Sequence, residues 1–110
     1  MFHHHVLIRF KRGRVDEGTQ LLKRFVGRMR RVSNGCTSIT FGPNTAETYS
    51  AKFTFDGCGQ GYTHVLACNF KTVRDHERYQ TNEVHLSMKD KIVPTIKSVC
   101  VLDFTTRGRF

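Results

Sequence analysis

The 110-residue sequence predicts a two-layer α+β sandwich with the element order β-α-β-β-α-β. Three observations carry this expectation. The apolar residues of segment 15–32 recur at three- and four-residue steps, as one face of an amphipathic helix requires. Four further segments are rich in β-branched and aromatic residues and end at turn or helix signals. The helical stretches fall between strands one and two and between strands three and four. That order is the ferredoxin-like split βαβ arrangement: a four-stranded antiparallel sheet with its helices on one face.

Taken in turn, His3 to Phe10 (HHHVLIRF) forms a first strand and ends in the basic turn Lys11-Arg12-Gly13-Arg14. Asp16 is placed to cap the helix that follows, whose apolar face is Val15, Leu22, Phe25, Val26, Met29 and Val32. Lys23, Arg24, Arg28, Arg30 and Arg31 lie mostly off that face, and Ser33-Asn34-Gly35 stops the helix. Residues 36–41 form a second strand closed by Gly42-Pro43-Asn44, and residues 43–60 a long, poorly patterned connection. Residues 61–70 (GYTHVLACNF) form a third strand, with His64, Leu66 and Cys68 on one face and Val65 and Ala67 on the other. A short helix over 72–80 and a second over 83–93, broken at Pro94, precede a last strand over 96–104. The chain is expected to be one domain over residues 1–110.

Composition narrows the function classes. No apolar run exceeds four residues, so neither a membrane span nor an ordinary secretory signal is expected. Cys36, Cys58, Cys68 and Cys100 show no CxxC pair and no zinc-like spacing, which suggests free thiols and a cytoplasmic location. The net charge is +9, and residues 1–34 hold nine Lys and Arg against Asp16 and Glu17, which concentrates +7 in the first third of the chain. A basic helix can track phosphates, so weak polyanion binding is one reading. The single aromatic of that helix, Phe25, lies on its apolar face, which makes a solvated basic face the stronger expectation and counts against nucleic-acid recognition.

Histidines dominate the residues that could carry chemistry. His3 and His5 share one strand face and His4 takes the other, which does not build the converging ligand set of a metal site. Gly57, Gly59 and Gly61 precede a strand rather than a helix, so they do not form a phosphate loop. Tyr79 and His85 lie six residues apart across a helix break (YQTNEVH). An imidazole can remove a proton near pH 7, and a phenol can donate to a carbonyl oxygen as it becomes an enolate.

The element order, GYTH (Gly61 to His64), the Tyr79-to-His85 segment and the closing VLDFT (Val101 to Thr105) resemble the stress-responsive dimeric α/β-barrel (Dabb) family, in its plant cyclase and stress-induced branch. The resemblance runs without gaps from Gly61 to about Thr105 and more loosely over the first 42 residues, and it fails at 43–60. It implies a dimeric α/β barrel, two sheets packed face to face, with a pocket inside each protomer. It further implies His85 as base and Tyr79 as anchor of the substrate carbonyl, with His4, His64 and Asn82 at the same pocket. Val6, Ile8, Leu21, Leu22, Phe25, Val26, Leu66, Met88, Val99 and Val101 fall at or near its apolar wall by the same resemblance.

Two departures stand out. Asn82-Glu83 replaces the family's His-Pro, and Lys89 stands where the cyclases have a glycine. The absence of Trp separates the chain from tryptophan-dependent haem-degrading relatives of the fold. The expectation is a small-molecule pocket protein that, as a polyketide cyclase-like enzyme, would close a ring by intramolecular aldol condensation without cofactor or metal. A non-catalytic stress-responsive dimer is the alternative. The expected partners are a second copy, through the uncovered sheet face, and an apolar or polyketide-like small molecule.

Overall fold

A computed structural model describes residues 1–46 and 59–107. Its strands are β1 (Phe2–Phe10), β2 (Cys36–Pro43), β3 (His64–Phe70) and β4 (Ile96–Thr105). The helices are α1 (Val15–Val32), α2 (Val73–Thr81) and α3 (Glu83–Ile92), and a 3-10 turn over Val93–Thr95 leads into β4. The strands form one antiparallel sheet in the order β2-β3-β1-β4. The architecture is the ferredoxin-like α+β fold, with the second helical region divided in two, β-α-β-β-α-α-β.

Several local expectations are corrected. Arg14, not Asp16, occupies the cap of α1 and makes no side-chain cap bond; Asp16 and Glu17 lie in the first turn, where the helix dipole favours acids. The Arg14 guanidinium donates to Glu17 at 3.0 and 3.1 Å and to the Pro94 carbonyl at 2.7 Å, tying the start of α1 to the turn before β4. β3 starts at His64 rather than Gly61, because Gly59, Gln60 and Gly61 all take positive φ and form a turn. β2 continues to Pro43, which its position on a sheet edge permits. Residues 47–58, including most of the long connection and Cys58, lie outside the described residues.

Register decides which side chains face the helices. His4, Val6 and Ile8 of β1 stand opposite Cys68, Leu66 and His64 of β3, and opposite Asp103, Val101 and Val99 of β4. Phe10, Leu22, Phe25, Val26, Met29, Ile39, Phe70 and Met88 complete the core between sheet and helices. α1 and α2 both pack against β2, and α2 also against β3. On β4, Val99 and Val101 remain about half exposed.

Two glycines of α1 make opposite predictions. A Cβ at buried Gly18 would overlap the Phe10 ring, whereas one at exposed Gly27 meets nothing. Gly18→Ala should therefore cost about 1–3 kcal/mol through overpacking. Gly27→Ala should gain roughly 0.5–1 kcal/mol from helix propensity. Chemical denaturation of the two variants checks this; equal shifts would contradict the packing described.

Candidate functional site

A cavity of about 240 Å³ lies between the inner face of the sheet and the helices. β1 contributes His4, Val6 and Ile8 to its wall; α1 contributes Leu22 and Phe25; β3 contributes Leu66. Tyr79 and Gln80 of α2 and His85, Lys89 and Ile92 of α3 form the helical side. Val93, Ile96, Val99 and Val101 complete the wall along β4 and the turn before it. A cleft of about 340 Å³ beside β2 is lined by Arg30, Ser33 and residues 36–40 and touches neither Tyr79 nor His85. The Arg30 guanidinium there already donates to the Ile39 carbonyl, at 2.7 and 3.0 Å.

Tyr79 and His85 meet because the helix is broken between them. The Asn82 backbone is extended, and its side chain accepts from the Val84 amide at 2.8 Å, ending α2 and starting α3 at one residue. The two rings stand 4.7 Å apart and nearly edge to face. Phe25 packs on His85 at 5.3 Å and on Tyr79 at 6.2 Å. The sole side-chain partner of the Tyr79 hydroxyl among the described residues is Cys68 Sγ, a weak contact at 3.9 Å.

Burial sets the protonation states. It raises the Tyr79 hydroxyl well above the ordinary phenol, with the Cys68 contact adding to the effect, so Tyr79 stays a donor. It pushes the Cys68 thiol up to about 12. Burial, with the Lys89 charge second, brings His85 down to about 4, leaving a neutral imidazole at pH 7. His85 Nδ1 is buried with no hydrogen-bond partner among the described residues. The pair is thus a neutral proton acceptor beside a neutral proton donor on an apolar wall.

Five expected pocket residues lie elsewhere. His64 is buried, but its ring packs on Phe10 at 5.2 Å and its Nε2 bonds Thr19 Oγ1 at 3.2 Å. Val26 and Met88 are packed into the core, where α1 and α3 present Leu22, Phe25, Lys89 and Ile92 to the cavity instead. Asn82 is spent on capping. Leu21 packs at the margin of the core and does not line the cavity.

Gln80, Ile92, Val93 and Ile96 line the cavity without having been among the expected residues, and His76, outside its wall, is a further buried titratable group. His76 is buried one turn before Tyr79, with Nε2 unpartnered and its ring against His4 at 4.4 Å, Phe2 at 4.8 Å and Phe70 at 5.2 Å. Burial lowers its pKa, and the neighbouring His4 lowers it further. Its i, i+3 spacing to Tyr79 was the available signal. Behind it, His4 Nδ1 bonds Asp103 Oδ1 at 2.6 Å, a contact set by the pairing of β1 with β4. His3 and His5 point to the opposite sheet face, where His3 stacks on Phe104 at 4.4 Å. Among the described residues no group of three His, Cys, Asp or Glu side chains could hold a metal ion. Cys36, Cys68 and Cys100 are free thiols. No described helix is long and apolar enough to cross a membrane.

Comparison with known proteins places the chain in a family. The stress responsive A/B barrel domain (Dabb) family matches residues 2–106, and the chain belongs to it. A protein of Arabidopsis thaliana is similar in structure at TM-score 0.77 and 17% identity, with 100% of this chain and 99% of that one covered. The hydroxynitrile lyase of Passiflora edulis is similar at TM-score 0.76 and 16% identity, covering 99% and 95%. A dimeric ferredoxin-like protein of unknown function from Thermobifida fusca is similar at 0.72 and 12%, covering 96% and 90%. At these identities the likeness is one of fold. No curated protein matches the sequence.

The buried histidines predict a direction of pH dependence. His64, His76 and His85 are held below the ordinary value of 6.5, so between that value and their folded pKa the unfolded chain binds protons the folded chain does not. Their effect on stability is absent above about pH 6.5 and grows more unfavourable as pH falls toward 4. The melting temperature should be lower at pH 5 than at pH 7, and His76→Phe should shrink that difference. A melting temperature that rises on acidification would contradict the assignment.

Proposed function

We propose that this protein binds a small carbonyl compound in the cavity and enolises it without a cofactor. The observation that carries the reading is the convergence of Tyr79 and His85, rings 4.7 Å apart, on the wall of an otherwise largely apolar cavity. In the step envisaged, the C–H bond next to the carbonyl breaks and its proton passes to His85. The electron pair moves into the carbonyl oxygen, held as an enolate by the Tyr79 hydroxyl. In a substrate with a second carbonyl the enolate carbon forms the new ring bond, and His85 returns the proton to the resulting alkoxide. This is the intramolecular aldol chemistry of a cyclase. That a hydroxynitrile lyase shares the fold supports acid–base chemistry at a carbonyl as something the scaffold accommodates.

The cavity volume bounds the substrate. About 240 Å³ is below the roughly 300–1,000 Å³ of pockets for drug-sized ligands, which favours a short chain over an extended polyketide. The non-catalytic alternative draws on His85 itself, since a pKa near 4 makes its imidazole a weak base. Turnover of a short poly-β-keto acid separates the two readings. His85→Ala and Tyr79→Phe should each lower it by about 10²-fold or more while the fold persists by circular dichroism. Unchanged turnover in both variants would sink the enzymatic reading.

We further infer a homodimer through the outer sheet face. The helices cover the other face alone, and Leu102 and Phe104 stand 52% and 46% exposed beside Leu7, Val65 and Ala67. An apolar sheet face of this kind requires a partner, and the dimeric ferredoxin-like relative supports a second copy. Light scattering should give twice the mass of one chain, and Leu102→Asp should halve it. A wild-type monomer at micromolar concentration would overturn this.

A further inference from the structure

We propose that Lys89 is an anion anchor, so that the cavity selects a small carbonyl substrate bearing an ionised carboxylate a few bonds from the carbon that loses its proton. The inference rests on the enolising role given above to Tyr79 and His85, and it adds the class of compound they act on.

Lys89 is the one Lys, Arg, Asp or Glu in the cavity wall among the described residues. It takes part in no ion pair or side-chain hydrogen bond among them. His85, Lys89 and Ile92 share one stripe of α3, at the i, i+4 and i+7 positions. Lys89 therefore leaves the helix one turn from the base, roughly 5–6 Å away between Cβ atoms. Lys89 is exposed, whereas Tyr79 is buried. That gradient runs from a neutral, apolar reaction end to a single cation at the mouth, with the lysine stem lying along the wall.

Charge complementarity identifies the ligand. The wall holds one positive group and no carboxylate; Asp90, next to Lys89 in sequence, and Asp103, bonded to His4, are both outside it. The influence of the Lys89 charge on His85 shows that the two groups sense each other. A bound carboxylate would offset the Lys89 share of that lowering, while the larger share, from burial, stays. A neutral ketone would bring no such compensation.

The test uses levulinate, a stable γ-keto acid, and its methyl ester, which has the same skeleton without the charge. The readout is exchange of the protons next to the ketone in D2O, followed by proton NMR, with binding of each compound followed in parallel by amide chemical-shift titration. Wild-type protein should favour levulinate over the ester by roughly tenfold or more in kcat/KM. Lys89→Met should collapse that preference, and Lys89→Arg should restore most of it. Equal handling of acid and ester by wild type, with exchange still lost in His85→Ala, would overturn the anchor and leave the enolising reading intact. Selective, Lys89-dependent binding of levulinate without exchange would support the anchor and sink the enolising reading. Saturable binding of neither compound would overturn the anchor.

Discussion

β1 is the constraint on which the rest of the molecule depends. It pairs with β3 on one side and β4 on the other, so its two-residue alternation sets the facing of three of the four strands. With His4, Val6 and Ile8 turned toward the helices, Leu66, Cys68, Val99 and Val101 must face the same way. A slip of one residue would send His3, His5 and Leu7 into the core and the pocket wall to solvent. The same pairing sets Asp103 beside His4, a contact between residues almost a full chain length apart.

Much of this was legible because the pattern is strong where burial is one-sided. The α1 stripe, the alternation of His64 to Phe70 and the stop before Pro94 each follow from a single local rule, and the structure keeps them. Boundaries were less legible where two rules compete. Asp16 is a good cap residue, yet the chain enters the helix earlier because Arg14 is pinned by Glu17 and the Pro94 carbonyl. That second partner is 80 residues distant and invisible to local reading. Gly61 to Thr63 look like strand by composition, but the positive-φ turn ending at Gly61 delays pairing until His64.

For the site, the side chains that converge were more legible than those that merely lie close. Tyr79 and His85 meet, and Lys89 joins them on one cavity wall, because one capping residue, Asn82, stops one helix and starts another. The same Asn82 shows why resemblance alone misplaced some residues: with a cap in place of the family's His-Pro, its side chain is consumed by the backbone. His64 is lost to the pocket for a related reason. It lies on the correct face of β3, but at the Phe10 end of the strand, where Thr19 takes its ring nitrogen. His76 went unnoticed because a histidine on a charged helix reads as solvated until the packing of Phe2, His4 and Phe70 is known.

The excess positive charge divides along the same structural line. Lys23, Arg24, Arg28 and Arg31 project from the solvent face of α1, opposite the Leu22–Phe25–Met29 stripe that covers the core. Their fields reach the cavity across the width of a helix and are screened by water on the way. Lys89 differs in kind rather than in amount. It is one charge on α3 that lines the apolar cavity, which no residue of the α1 cluster does. One lysine so placed therefore does more to decide what the cavity accepts than the cluster on α1, although that cluster dominates the net charge.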